Sequence, residues 1–352
     1  MGEFGGFVQT KMKISILCND GSPLGVTYES LWGDEFRVGV GGAELALLTM
    51  AHHWTKEGHE VVLYNDPWRP TEYIDQRKIR DFDPQEERDY LIIFRSPNRL
   101  SYDAKGKKIW WSCDQFTIGD FREFGKTVDQ IVTISPYHER YFLEKYDLKS
   151  TVIDLAVRGE DYKEADPYLK VPYRMLFSSV PGRGLDIMAR MYPRIRQRVP
   201  EVSLVITSDY RLWGVSPQNQ EFRSMFMGAE GVQFLGAVPR SKLVQEQIKA
   251  ELQVSPIRYE ELFCYAVAEA QYAYALPITP SMGALDSTNM GIKVSGNPSD
   301  QHWQNLYVDM AVKTLQEREF LTDLRSAAGK VARERFDIDR VSAQWTELVF
   351  NE

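Results

Sequence analysis

The chain is short of cysteine, with Cys18, Cys113 and Cys264 the only three in 352 residues. They are far apart, odd in number and never in a C-x-x-C pair, which excludes a disulfide framework and a zinc site and reads as a reduced, cytoplasmic protein. Histidine is scarce as well: there are five, and the adjacent His52 and His53 point to different faces of a helix. No H-E-x-x-H occurs, so the expectation is of no bound metal. Long apolar runs are missing; the longest are strand-sized, and nothing approaches the roughly 18 residues that would cross a bilayer. The opening MGEFGGFVQTKMK has no apolar h-region, so a cleaved signal peptide is not expected. A full G-x-G-x-x-G is also lacking, since Gly39-Val-Gly-Gly-Ala-Glu44 has the wrong spacing, and an NAD(P)-dependent oxidoreductase is a weak reading. Low-complexity tracts and short-period repeats are absent.

Positive charge is in deficit, and unevenly. The formal net charge is −8. Residues 1–170 hold 22 Lys+Arg against 29 Asp+Glu, whereas residues 171–352 hold 20 against 21. An acidic first half repels phosphate backbones and anionic lipid, so sequence-independent nucleic-acid binding is not expected. Hydrophobic content of 43% and charged content of 26% are those of a globular chain. The length suits two domains of about 100–200 residues each.

What is present is an alternation of strand and helix patterns. KISILC at 13–18 and HEVVLY at 59–64 are short apolar runs that flank a glycine loop and an apolar-periodic helix ending near Gly58. Strand, glycine loop, helix, strand is a βαβ unit. Further strands are expected at 90–94, 108–111 and 130–134, with a helix at 136–146. The charged stretch 160–172, with two prolines, is the natural linker. The pattern then restarts with strands at 172–177, 202–207, 232–235, 252–255 and 276–279, and helices at 185–199, 241–250 and 261–273. Two further helices are expected at 301–320 and 340–350. The fold class is therefore α/β, with two doubly wound parallel-sheet domains whose ligands bind where strand C-termini meet helix N-termini. The expected division is 11–168, 169–335 and a C-terminal helix, 336–352, packing back on the first domain.

The segment Ser255-Pro-Ile-Arg-Tyr-Glu-Glu-Leu-Phe-Cys-Tyr-Ala-Val-Ala-Glu-Ala270 carries the most chemistry. Glu261 and Glu269 are eight residues apart, which on one helix is a little over two turns, or roughly 12 Å. The first carboxylate is expected at the helix N-terminus and the second two turns in. That separation suits a nucleotide sugar, with one carboxylate on sugar hydroxyls, one on ribose hydroxyls and a diphosphate against free N–H groups between them. Two glutamates alone would be an ordinary solvent-facing helix.

The surrounding residues add weight. The string EELFCYAVAEAQYAYALPIT, following a strand that ends in Ser-Pro, resembles the E-x7-E signature of retaining GT-B glycosyltransferases, chiefly glycosyltransferase family 4. Three other segments fall in that family's order. GVGGAELALLTMAHHW resembles its N-terminal glycine loop, where Gly41 and Gly42 would admit donor phosphates. LFSSVPGRGLDIMARM resembles the segment whose basic residue contacts the diphosphate, here Arg183. GVQFLGAVPRSKL, around Gly236 to Arg240, resembles the strand and loop whose backbone reads the nucleobase. The chain departs from the family at three points. Cys264 stands where glycine is usual, Ser178 and Ser179 stand where a first arginine is usual, and Cys113-Asp114 replaces a histidine in the acceptor cleft. Arg258 is a candidate substitute for the missing cation.

The resemblance implies a GT-B fold, with two Rossmann-like domains facing each other across a cleft. It implies transfer of a sugar, with retention, from a nucleoside-diphosphate sugar (UDP- favoured over GDP-) to a carbohydrate or glycoconjugate hydroxyl. No cofactor or metal is required. Arg183, Arg258 and the N–H groups of Phe263 and Cys264 would face the diphosphate; Glu261 would hold the sugar and Glu269 the ribose, and Asp114 would act on the acceptor side. A nucleotide-sugar epimerase of the same fold and a non-catalytic carbohydrate-binding protein are the alternatives. Peripheral membrane contact and the oligomeric state are left open.

Overall fold

In the computed structural model, residues 11–19, 24–31, 39–115, 119–210 and 219–351 are described. They form two all-parallel sheets. The first contains β1 (Lys13–Cys18), β2 (Glu60–Tyr64), β3 (Asp75–Arg77), β4 (Tyr90–Phe94), β5 (Lys107–Trp111), β6 (Gln130–Thr133) and β7 (Thr151–Val152) in the order β3-β2-β1-β4-β5-β6-β7. The second contains β8 (Arg174–Phe177), β9 (Ser203–Ile206), β10 (Val232–Phe234), β11 (Leu252–Val254), β12 (Leu276–Pro280) and β13 (Ile292–Val294) in the order β10-β9-β8-β11-β12-β13. Interior strands such as β1, β4 and β11 are buried on both faces because helices cover both sides of a parallel sheet. The three unexpected strands, β3, β7 and β13, all lie at sheet edges. They are only two or three residues long, too short to show a periodicity.

The helices are α1 (Gly42–Lys56), α2 (Phe121–Gly125), α3 (Pro136–Tyr146), α4 (Leu185–Arg198), α5 (Asn219–Ser224), α6 (Arg240–Lys249), α7 (Tyr265–Tyr272), α8 (Leu285–Thr288), α9 (Gln301–Gln316), α10 (Arg318–Arg335) and α11 (Ile338–Trp345). Strand order reverses between β1 and β4 in one sheet and between β8 and β11 in the other, the places where a doubly wound sheet opens a crevice. No helix among the described residues is long and apolar enough to cross a membrane.

Three expected helices have different bounds. The run 261–273 is helical only from Tyr265, because Cys264 adopts φ 68°, ψ 76°, a left-handed conformation that cannot continue a helix backwards. The run 301–320 is two helices, broken at Glu317 with ψ 73°. The next helix begins with Arg318, whose guanidinium reaches the buried Glu251. The run 340–350 begins earlier, after an Asp337 N-cap, and ends in a wider turn over Thr346–Phe350.

α11 crosses back onto the first sheet's helical layer. Trp345 packs edge-on against Trp54 of α1 at 5.3 Å and against Trp111 of β5 at 5.1 Å, and all three indoles are fully buried. Gln130 donates to Leu348 O at 2.7 Å, and Ser342 to Glu57 at 2.8 Å. The same apolar cluster takes in Leu262, Phe263, Tyr265 and Ala268, so the loop and helix beside the crevice join the first sheet's core, while the second sheet keeps a core of its own.

α3 shows how capping and burial set a pH response. Ser135 caps its N-terminus by accepting from His138 N at 3.1 Å, and Pro136 fills the first turn. The His138 ring is fully buried, and its Nδ1 accepts from Ile134 N at 3.3 Å. Burial drives its pKa down to about 3, so the folded protein keeps the ring neutral while the unfolded chain protonates near 6.5. Stability from this group is complete above pH 6.5 and is lost as pH falls toward 3. Urea titrations at pH 7 and pH 5 should show wild type losing about 2 kcal/mol more than His138→Gln; an equal loss in the two proteins would refute the assignment.

Candidate functional site

Between the sheets lies a cleft of about 470 Å³, a size ordinary for small-molecule sites. Its walls come from the strand C-terminal ends and helix N-termini of both halves. Gly41, Gly42, Asp114, Arg183, Glu261, Phe263, Cys264 and Glu269 all line it. Arg258 and Gly236 do not, although the following Ala237 and Val238 do.

The glycine loop works through close approach. Gly41 is the N-cap of α1, and a Cβ there would fall 2.3 Å from a Glu44 carboxylate oxygen. A Cβ on Gly42 would fall 2.9 Å from Tyr265 Cβ, the first residue of α7. The second glycine therefore lets the N-terminal ends of α1 and α7 meet. Tyr265 ties down the far side by donating its hydroxyl to Ala156 O.

The segment between β11 and α7 is an irregular loop, so Glu261 stands in that loop and not on the helix. Gly184 makes the loop's path possible. It has φ +99°, and a Cβ on it would lie 2.1 Å from Pro256 O. The turn that holds Gly184 also aims the half-buried Arg183 at the buried Glu261 carboxylate to form an ion pair, with the guanidinium 5.4 Å from the Tyr259 ring centre. Burial pushes the Glu261 carboxyl above its usual range, and the Arg183 charge pulls it partway back. Burial likewise pushes the Cys264 thiol up to about 12 and the Tyr259 hydroxyl up to about 12. Cys264 occupies a left-handed position that glycine adopts freely, at a cost of roughly 1–2 kcal/mol for an L-residue. This accounts for the glycine usual there in the family that the sequence resembles.

Glu269 lies one turn into α7 and is buried. Arg240, the first residue of α6, donates to its Oε1 at 2.6 Å, and Gln247 Nε2 stands 3.4 Å from its Oε2. Arg258 is elsewhere: it forms a bidentate pair with Asp186 in the first turn of α4, at 3.0 and 3.2 Å, and is 39% exposed. That pairing takes it off the cleft wall and leaves the expected substitute cation engaged outside. Gly236 turns the loop with φ +72°, and Ala237 N then donates to Asp209 at 3.3 Å.

On the opposite wall, Asp114 pairs with Arg95, a half-buried contact at the C-terminal end of β4. Arg95 has φ +71°, held by its own N–H to Trp111 O at 2.9 Å and by Trp110 Nε1 donating to its carbonyl at 2.9 Å. Cys113 beside it has its thiol pushed well up by burial and then by the Asp114 charge. At the mouth, burial and then the nearby Glu260 carboxylate raise the Tyr137 hydroxyl's pKa.

Arg95, Glu44, Tyr265 and the side chain of Arg240 are cleft features that the sequence patterns passed over. Arg95 follows YLIIF immediately, and a charge at the carboxyl end of a buried strand is the signal that could have found it. Arg240 had only a loop-to-helix position to mark it. The Asp-x-Asp triplets at 81–83 and 337–339 do not line the cleft. Among the described residues, no three His, Cys, Asp or Glu side chains gather as a metal cluster.

No family model and no curated protein matches the sequence. Solved structures do match. A glycosyltransferase from Rickettsia africae is similar at 14% identity and TM-score 0.73, covering 97% of this chain and 98% of that one. HepE from Anabaena, in complex with UDP and glucose, is similar at 15% identity and TM-score 0.68, covering 97% and 100%. Sucrose-phosphate synthase from Thermosynechococcus elongatus is similar at 12% identity and TM-score 0.73, covering 96% and 98%. At these identities the likeness concerns the fold. With two parallel doubly wound sheets facing across a cleft and these neighbours, the chain has the GT-B fold of the glycosyltransferases that it resembles.

Proposed function

We propose that the protein is a retaining glycosyltransferase that moves a sugar from a nucleoside-diphosphate sugar to a carbohydrate or glycoconjugate hydroxyl, without a metal. The observation that carries this reading is one cleft holding the Arg183–Glu261 pair, the loop N–H groups before α7 and the buried Glu269 together. In this reading the second half, residues 169–335, is the donor domain, residues 11–168 face the acceptor, and the C-terminal helix belongs with the latter. The enzyme works in the cytoplasm.

The chemistry follows from charge. A departing diphosphate needs cations and N–H donors where its negative charge grows, in a site shielded from water. Arg183 supplies the cation, and the Phe263 and Cys264 amides at the N-terminus of α7 supply donors favoured by the helix dipole. Glu261 takes sugar hydroxyls, and donor binding then shares Arg183 between the carboxylate and the phosphates. Glu269 takes the ribose. Ser178 and Ser179 line the same wall and offer neutral hydrogen bonds where a second cation would be usual. The leaving phosphate oxygen takes the acceptor proton on the front face, so no protein base is needed. UDP in the HepE complex supports a uridine donor. Arg95 and Asp114 give the opposite wall polar groups for an acceptor, which an epimerase would not require, and so favour transfer over isomerisation.

Glu269→Ala should lower transfer by at least about 100-fold, the scale on which preorganised electrostatic partners act, with circular dichroism unchanged. Arg183→Ala should do the same, and combining it with Glu261→Gln removes the uncompensated buried charge that could unfold the single variant. Near-normal transfer in either folded variant would remove these residues from the site. A thermal-shift screen of UDP, GDP, dTDP and ADP with their sugars should give the largest rise with the uridine pair. No shift with any of the four would overturn the donor assignment.

A further inference from the structure

The polar groups behind the cleft form one connected chain that runs from α1 to Glu269. Tyr28 stacks on His52 of α1 at 4.0 Å, and the Arg158 guanidinium bonds the Tyr28 hydroxyl. Arg158 Nε donates to Asp161 Oδ1 at 3.1 Å, in the segment that joins the two sheets. Asp161 Oδ2 in turn accepts from Arg240 Nε at 2.9 Å, and Arg240 Nη2 donates to Glu269 Oε1 at 2.6 Å. The Arg240, Asp161 and Glu269 side chains are each under 10% exposed. The second Glu269 oxygen faces Gln247 Nε2 at 3.4 Å, and Gln247 Oε1 accepts from the Tyr162 hydroxyl at 2.7 Å.

Both oxygens of Glu269 thus have fixed neighbours on one side, and the carboxylate still lines the cleft on the other. A planar guanidinium with donors in a rigid fork can engage two carboxylates at a fixed mutual angle, which an ammonium cannot. A glutamate side chain at the second turn of a helix has three rotatable bonds, and such a fork removes that freedom before a ligand arrives. Preorganisation of this kind governs how sharply a carboxylate distinguishes a ligand that offers two adjacent hydroxyls from one that offers a single hydroxyl.

We propose that Arg240 is a positioning residue for Glu269: pinned to Asp161 of the linker, it fixes the carboxylate so that the site selects ribonucleoside over 2′-deoxyribonucleoside diphosphates. The inference rests on the assignment of Glu269 to the donor ribose. In this role Arg240 need not contact a substrate atom. Its effect reaches the ligand through Glu269, and the linker residue Asp161 becomes part of nucleotide recognition.

Calorimetric titration of the full chain with UDP, GDP and ADP, and with dUDP, dGDP and dADP, tests this. Wild type should bind the best ribonucleotide about 10- to 100-fold more tightly than its 2′-deoxy partner, the scale of a hydrogen bond to a charged group. Glu269→Gln should erase most of that preference. Arg240→Gln should erase it to a similar degree while the 2′-deoxy nucleotide binds nearly as before. Arg240→Lys, which keeps the charge that the two buried carboxylates need, should fold even if Arg240→Gln does not, and should give an intermediate preference. A folded Arg240→Gln or Arg240→Lys protein with the full wild-type preference, alongside a Glu269→Gln protein that has lost it, would overturn the role of Arg240 alone. A Glu269→Gln protein that keeps the preference, or a wild type that binds none of the six, would overturn the ribose assignment itself and this inference with it.

Discussion

A guanidinium removed from water must be met by carboxylates or carbonyls, and much of this molecule is arranged around that requirement. The buried Arg240 meets both Asp161 and Glu269 and the buried Arg325 meets Glu251, while the part-exposed Arg183, Arg335 and Arg318 meet the carboxylates of Glu261, Asp154 and Glu251. Several of these pairs join segments distant in sequence: Asp161 lies in the linker, Arg240 on α6 and Glu269 on α7. Breaking one partner would strand the other in a low-dielectric interior, so each pair fixes the relative placement of the elements that carry it. The cleft residues are members of this set. Their charges serve the fold before any ligand is present.

Close backbone approach is the second constraint, and it acts at the same place. Gly42 lets Tyr265 come against the start of α1, and Gly184 lets the loop after β11 pass over the start of α4. Those contacts hold Phe263 and Cys264, just ahead of α7, against the crevice that they line. Cys264 takes a left-handed conformation to complete the same loop, and the strain is absorbed by a small apolar cluster with Ile257, Val267 and Leu285. The indole cluster of Trp54, Trp111 and Trp345 then anchors the end of the chain on the opposite half. Helix ends, glycines and buried pairs together give a cleft whose shape is largely set by the protein alone.

Much of the fold was legible in the residues. Interior strands such as KISILC and YLIIF announce themselves because both faces are covered, whereas edge strands of two or three residues carry no pattern to detect. Apolar periodicity runs through LFCYAVAEA without a break, so the pattern alone starts α7 at 261, and only the backbone angle at Cys264 stops the helix. Glu317 interrupts 301–335 in the same silent way. Arg258 is close to Glu261 in sequence, but three residues of loop are enough to turn it outward to Asp186.

The sequence by itself determined the alternation of strand and helix and the motif segments that meet at the cleft, because these depend on local pattern and on residue type. Tertiary structure decided the partners. That Arg240 faces both Asp161 and Glu269, that Arg95 faces Asp114 and that Arg258 faces away are consequences of which strand ends and helix starts come together across two sheets. Charge pairing over 29 or 79 residues of separation leaves no trace in local periodicity. It is fixed only when burial forces each charge to find its counterpart.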